Sequence, residues 1–463
     1  MASVLASQAA AARPFQTAIY ANDGLADLAR IGPSGAKIVR LTLSWPTVAP
    51  AEKPAAWDPA NHADPNYDWS GFDVIVADAT ARGLSIFTTV AGAPKWAQTA
   101  PAEADTLKAR LPDAAAYGQF AHALAARYSG QVEGLPRIRW FQAWNEPNIS
   151  LYLVPQLVDR KPVAAVHYRS MLNEFAKAVH SVHRDNVVIA GGLAPFRDIT
   201  PEIVAQDKDW GPLSFMRTVL CVSPTGTPTC RTRVDFDVWA THPYTSGGPT
   251  HHAVLPNDVS LGDLGKMKAV LAAAAKLGHL ANRTPDFWVT EFSWDSKPPD
   301  PQGVPSALLT RWVAEALYRM WADGVSLVTW LQVRDNPIDT GYFQSGLWYA
   351  RGAPKPALRA FRFPLVALPD ANGRVLVWGR TPRGERRRVL VEQSLGSAWK
   401  RVASLTPDRY GVFQTTLAVP ARGRMRARVT GPSDVSAPFG LAAVPDQVFN
   451  PFGGTTDLEP KTT

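Results

Sequence analysis

Two glutamates in this 463-residue chain stand where carboxylates could work together. The first closes an apolar run in Trp140-Phe-Gln-Ala-Trp144-Asn145-Glu146-Pro147-Asn148. The second does the same in Phe287-Trp288-Val-Thr-Glu291-Phe292-Ser-Trp294. An apolar strand that ends on a carboxylate brings a costly charge to the edge of a core. One such glutamate reads as an ordinary surface side chain; two, each among Trp and Phe, read better as a convergent pair. Paired carboxylates suit the cleavage of an acetal. One, protonated, helps the leaving oxygen depart, while the other, ionised, attacks the anomeric carbon. A separation of about 5–5.5 Å gives retention of configuration, and about 6.5–9.5 Å gives inversion.

Such a pair needs a scaffold, and the chain supplies a regular one. Short apolar runs occur at Gln16–Tyr20, Lys37–Ser44, Leu84–Val90, Ile138–Trp144, Val187–Gly191, Phe236–Thr241, Phe287–Thr290 and Val325–Leu331. Amphipathic stretches lie between them. Tyr117, Phe120, Ala121, Leu124 and Tyr128 recur at helical spacing before Gly130, as do Tyr168, Met171, Leu172, Phe175, Val179 and Val182. Eight strands alternating with helices over about 350 residues predict an α/β fold, a (β/α)8 TIM barrel. An open doubly wound sheet would want a glycine-rich phosphate turn after its first strand, and Asn22-Asp23-Gly24 is not one. The helical pattern stops at Arg359-Ala-Phe361. Strand-like runs follow at Val375–Trp378, Arg388–Glu392, Val412–Val419 and Met425–Val429. The expected organisation is a barrel over 14–362, a small antiparallel β domain packed on it over 363–431, and an extended or disordered tail over 432–463. In a barrel the residues just after each strand line the catalytic face, where both glutamates fall.

Asn145-Glu146-Pro147 on the fourth strand and Glu291 on the seventh resemble the clan of retaining barrel glycoside hydrolases that includes cellulase-like and β-xylosidase/α-iduronidase-like families. Trp144-Asn-Glu-Pro-Asn148 is most similar to the latter, and the likeness spans roughly residues 14–362. The resemblance implies that Glu146 is the general acid/base, Glu291 the nucleophile, and Asn145 a partner of the sugar 2-hydroxyl. It implies that Arg40, in Val39-Arg-Leu-Thr-Leu-Ser-Trp45, lies beside the nucleophile. His242 and Tyr244, in Thr241-His-Pro-Tyr244, match the imidazole and aromatic partners after the sixth strand, and Trp330 a platform under the reacting sugar. The segment Asn148-Ile-Ser-Leu-Tyr-Leu-Val-Pro155 departs from the Trp-rich continuation of well-studied β-xylosidases, which leaves the sugar open. Physical chemistry supports two of these roles independently: Arg40 would hold Glu291 ionised, and burial near a second carboxylate would keep Glu146 protonated.

The implied activity is retaining O-glycoside hydrolysis of a polysaccharide or oligosaccharide through a covalent glycosyl-enzyme, with no cofactor and no metal. Transglycosylation with the same glutamates, or a non-catalytic carbohydrate-binding or cell-wall protein, are the alternatives. Sixteen Trp and eleven Tyr suit a sugar ligand, and Trp45, Trp96 and Trp294, near strand ends, are candidate stacking residues. The pair His251-His252 lacks acid or Cys partners at ligand spacing and reads as a rim loop. Long proline-rich segments, Ala49–Trp69, Ala93–Pro112 and Val204–Arg233, are expected to wall the mouth.

The net charge of +8 is unevenly placed. Between Arg374 and Arg428 thirteen Arg and Lys face three acids, Glu385, Glu392 and Asp408, so the basic part is the small β domain. An anionic wall surface is a candidate partner for it; no nucleic-acid pattern accompanies the charge. No apolar run is long enough to span a membrane. Cys221 and Cys230 flank a loop with two prolines and a glycine that a disulfide could close, worth about 2–3 kcal/mol. Together with an N-terminus that resembles the stub left after signal-peptide removal, the pair points to a secreted or cell-wall-associated protein.

Overall fold

The computed structural model describes residues 12–100, 107–340, 343–431 and 434–449. Its centre is a closed barrel of eight parallel strands: β1 (Gln16–Tyr20), β2 (Ile38–Ser44), β3 (Ser85–Ala91), β4 (Trp140–Ala143), β5 (Val187–Leu193), β6 (Val238–Thr241), β7 (Asp286–Phe292) and β8 (Leu327–Trp330). A main helix follows each strand in turn: α1 (Leu25–Ile31), α2 (Ser70–Ala81), α3 (Ala114–Arg127), α4 (Val163–Val182), α5 (Pro212–Leu220), α6 (Leu264–Lys276), α7 (Ser306–Ala322) and α8 (Pro356–Arg362). The expected (β/α)8 barrel is what the chain forms.

Pleating sorts the strand residues into two cores. Ala18, Ile38, Phe87, Ile189, Val238, Ala240, Trp288 and Leu327 point inward and fill the barrel as an apolar plug. Their neighbours in sequence, such as Ile19, Val39, Val188, Trp239, Val289 and Val328, point outward beneath the helices. Burial on both faces is why these strands read as apolar runs rather than alternating ones. On the helices the expected stripes are the buried ones: Tyr117, Phe120, Ala121 and Leu124 on α3, and Tyr168, Met171, Leu172, Phe175 and Val179 on α4. Asp113 caps α3 by accepting from Ala116 N at 2.8 Å, an interaction worth about 1 kcal/mol.

The C-terminal part is antiparallel and richer in strands than its sequence suggests. β9 (Leu365–Pro369), β10 (Val375–Arg380) and β13 (Val412–Leu417) form one sheet in the order β9-β10-β13. β11 (Val389–Ser394), β12 (Lys400–Leu405), β14 (Arg424–Val429) and β15 (Phe439–Gly440) form a second, ordered β12-β11-β14-β15. The first sheet is locked to the barrel. Trp378 packs against Phe15 before β1 and against Tyr318 and Trp321 of α7. Buried Arg380 donates to Phe15 O at 3.1 Å and to Thr17 Oγ1 at 3.4 Å.

Beyond β15 the chain runs back to the barrel. Asp446 accepts from Gly248 N and meets His251 Nδ1 at 2.8 Å, and Phe449 N donates to Ser246 O at 2.7 Å. The expectations for residues 1–11 and 450–463, and for part of the Ala93–Pro112 wall, lie outside the described residues. Cys221 and Cys230 are disulfide-bonded, but not at the mouth. Val204–Arg233 contains α5, and Cys221 is the residue that ends this helix. Helices of such a barrel end at the face opposite the catalytic one, so the disulfide braces the bottom. Among the described residues no helix is long and apolar enough to cross a membrane.

Candidate active site

The polar layer above the apolar plug begins with Arg40. On β2 it points the same way as Ile38, into the barrel, and its side chain is 1% exposed. A buried guanidinium must have every donor met, and the partners are specific. Nη1 bonds Glu291 Oε1, Nη2 donates to Asn145 Oδ1 at 2.8 Å, and Nε donates to Thr89 Oγ1 at 3.0 Å. Tyr20, opposite Arg40 in the β1–β2 ladder, lies with its ring 5.2 Å from the guanidinium.

Glu291 reaches this layer because β7 is irregular. Val328 pairs with Val289 and Trp330 with Phe292, so β7 carries one more residue than β8 over that step. Strict alternation from inward-facing Trp288 would send Thr290 in and Glu291 out. The bulge turns both toward the axis, a common device for re-aiming a side chain beside an active site. Thr290 Oγ1 then meets His242 Nε2 at 3.1 Å, and Tyr244 donates to Glu291 Oε2 at 3.1 Å.

Glu146 is placed by a turn of unusual backbone. Trp144 and Glu146 both have positive φ, 71° and 41°, a region that side-chain-bearing residues enter at a cost. Surrounding bonds hold the turn. Trp144 N donates to Val90 O at 2.9 Å and Glu146 N to Gly192 O at 3.0 Å. Gln142 Nε2 donates to Trp144 O at 3.0 Å, and Asn148 pairs with both the N–H and the carbonyl of Ala194. Gly192 is required here: its φ is +63°, and a Cβ would come within 2.6 Å of Gln142 Nε2 and 3.2 Å of His242 Nε2. Gly192→Ala is therefore expected to displace the glutamate and lower kcat/KM by about 10²-fold, with far-UV circular dichroism unchanged.

His242, fully buried, joins the two acids. Its Nδ1 is 2.8 Å from Glu146 Oε1 and 3.7 Å from Glu291 Oε2. The carboxylates have opposite environments. For Glu146 burial is the largest influence and, with the nearby Glu291 charge, outweighs His242 and Arg40, so its carboxyl is raised above the ordinary value. Burial also pushes Glu291 up, but His242, Arg40 and the Tyr244 hydroxyl together overcome it and hold this carboxylate below the ordinary value. Burial and the two glutamates raise the Tyr244 phenol well above its usual range, so it remains a donor.

The structure thus brings Arg40, Asn145, Glu146, His242, Tyr244 and Glu291 together. The tryptophans behave differently. Leu327 faces inward, so on β8 Thr329 also faces in and Trp330 faces out. The Trp330 ring lies between Phe292 and Phe361 of α8, 1% exposed, and donates to Ser345 O. Trp45 stacks on Phe120 of α3, and Trp294 sits against Phe292 and Trp312 with its Nε1 on Gly247 O. None of the three has an open ring face, which corrects their assignment as sugar platforms. Trp96 is half-buried and ties two mouth loops, donating to Pro50 O at 2.9 Å. His252 and Asp263 meet at 3.0 Å in the rim loop.

Tyr20, Thr89 and Thr290 were not foreseen. Tyr20 had a visible signal, being the last residue of the first apolar run. Tyr152 also joins the site: its strand-like segment is pinned by Ala109 N donating to Tyr152 O at 3.1 Å. Burial, then Glu146 and Glu291, push its phenol up.

Donor atoms of Glu146, His242 and Glu291 lie within 4.8 Å of one another, close enough to hold a metal ion. A cation there would face the fixed charge of Arg40, already bonded to Glu291 and Asn145. The set is better suited to moving protons than to holding a metal.

No protein-family model and no curated protein matches the chain. Among solved structures it is similar to a family 39 glycoside hydrolase from the gut symbiont Bacteroides cellulosilyticus WH2. That match has 14% identity and a TM-score of 0.51, covering 90% of this chain and 81% of the other. A glucosidase from Croceicoccus marinus aligns at 15% identity and a TM-score of 0.48, covering 85% of this chain and 89% of that one. At such identities the first likeness is one of fold.

Proposed function

We propose that this chain is a retaining O-glycoside hydrolase. The observation that carries the reading is the spacing and opposite tuning of two carboxylates, with oxygens of Glu146 and Glu291 within 4.8 Å. Oxygens no farther apart than that fit the close pairing of retaining enzymes, roughly 5–5.5 Å between carboxyl groups, and fall well short of the 6.5–9.5 Å that leaves room for water. Glu291 attacks the anomeric carbon as Glu146 protonates the leaving oxygen. Glu146, now a base, then takes a proton from the water that opens the glycosyl-enzyme. Arg40 and Tyr244 keep the nucleophile ionised and aimed. Asn145 accepts from Arg40 through Oδ1, which leaves its amide N–H groups for a sugar hydroxyl. The fold neighbour, itself a glycoside hydrolase, is consistent with a carbohydrate substrate, and the disulfide with an oxidising, extracellular location.

The test is reducing-sugar release from a panel of polysaccharides and aryl glycosides, with the anomer of the first-formed product read by NMR. A product of inverted configuration would sink the mechanism. The pH profile of kcat/KM should be a bell. Its acid limb lies below the ordinary carboxylate range, where Glu291 protonates, and its alkaline limb lies above it, where Glu146 loses its proton. Because the two interact, both limbs belong to the pair.

A further inference from the structure

The second C-terminal sheet presents a face whose chemistry the barrel site does not use. On β14 Met425, Ala427 and Val429 are buried, so Arg424, Arg426 and Arg428 share the opposite face. The ladder sets them beside Ser394, Glu392 and Leu390 of β11, and Arg401 of β12 lies across from Glu392 on the other side. Arg388 extends the row, its carbonyl accepting from Thr430 N at 3.0 Å. Five arginines thus surround one acid. Glu392 engages two of them, Arg426 at 2.8 Å and Arg428 at 3.2 Å. No ion pair joins Arg388, Arg401 or Arg424 to an acid among the described residues, and all three are exposed. The Trp399 ring lies at the edge of the row, with the guanidinium of Arg426 4.3 Å and that of Arg424 5.9 Å from its centroid.

The residue types narrow the partner. Between Arg374 and Arg428, twelve of the thirteen basic residues are arginine, against twenty-two of thirty-five in the rest of the chain. A general bias toward arginine would affect both parts alike. Arginine differs from lysine in offering a planar fork that matches a carboxylate in two parallel hydrogen bonds. On β14 such forks recur about every 7 Å along one face. An indole beside them adds a flat apolar surface of the kind that packs on the C–H face of a sugar ring. A row of forks with an aromatic edge fits a polymer that repeats both features.

We propose that the β12-β11-β14 face binds an acidic polysaccharide whose sugars carry carboxylates, a polyuronate. It holds the polymer on the sheet while the barrel works elsewhere on the same or an attached chain. The inference rests on the glycosidase reading only in choosing a sugar polymer as the occupant, and binding can be measured without turnover.

The experiment uses the full chain with both Glu146→Gln and Glu291→Gln, so that no substrate is consumed. Affinity electrophoresis in gels containing polygalacturonate is compared with gels containing neutral glucan, and repeated with Arg388→Gln, Arg401→Gln and Arg424→Gln combined. These three side chains are exposed, and a thermal melt checks the fold. Retardation by the polyuronate alone is expected, weakened about tenfold or more by the triple substitution. It should vanish near 1 M salt, where the Debye length is about 3 Å. Trp399→Ala should weaken it as well. Equal retardation of the triple variant would overturn the proposal. So would tighter binding to phosphatidylglycerol vesicles or single-stranded DNA at matched charge. If retardation holds but no glycan is cleaved by the wild type, the surface stands and the hydrolase reading falls. Hydrolysis without retardation gives the reverse.

Discussion

Replacing Glu291 by glutamine is expected to lower kcat by about 10⁴-fold or more, equivalent to about 5.4 kcal/mol of barrel-imposed catalysis lost. The amide oxygen cannot form the bond to the anomeric carbon that the carboxylate forms, so no choice of leaving group restores the first step. Glu146→Gln should behave differently. An aryl glycoside whose leaving group departs without a proton still forms the glycosyl-enzyme, and the slow step becomes its opening by water. A burst of aryl alcohol followed by slow turnover would identify Glu146 as acid/base. The same burst from Glu291→Gln would overturn its role as nucleophile. Glutamine is the better probe at 291 because alanine would strip buried Arg40 of its main partner, mixing a folding defect with a chemical one.

Removing Arg40 itself should have the second largest effect. Arg40→Met leaves Glu291 buried without its cation, and loss of one member of a buried pair costs about 3–5 kcal/mol of stability. Catalysis should fall by about 10²–10³-fold, the usual range for one preorganised electrostatic partner. The diagnostic readout is the acid limb of the pH profile. Arg40 favours the ionised form of Glu291, so without it the carboxyl protonates at higher pH and the limb moves upward. A limb that stays in place, with only the melting temperature reduced, would show that Arg40 serves the fold and not the nucleophile.

The barrel was readable in the chain because its strands are buried on both faces and so appear as eight separated apolar runs. Glu146 and Glu291 stood out as well, because carboxylates just past the ends of such runs are conspicuous, whereas Arg40, inside the second run, and Asn145, His242 and Tyr244 were singled out only through the resemblance to barrel glycoside hydrolases. What escaped depends on direction, not on residue type. Whether Trp330 faces sugar or helix is decided by pleat parity counted from Leu327, and the run's expected start at Val325 does not reveal it. Glu291 faces inward only because of the β7 bulge, which leaves no mark in the pattern of apolar residues. Lys400–Leu405 escaped for another reason: it is an edge strand with exposed polar residues. Leu365–Pro369 escaped because it follows Pro364, where the sequence suggests a break.

The positive φ angles at Trp144 and Glu146 have an evolutionary consequence. A non-glycine residue held there costs on the order of 1–3 kcal/mol, while glycine would adopt the same turn freely. Mutation toward greater heat resistance alone would therefore favour loss of the very side chain proposed to donate the proton. Folding selects against this glutamate, and the proposed turnover selects for it. The bonds from the turn to the Val90 and Gly192 carbonyls, the bond from Gln142, and those of Asn148 to Ala194 are what that compromise requires, and on the proposed mechanism a lineage freed from the need to cleave its substrate should change first at this peptide.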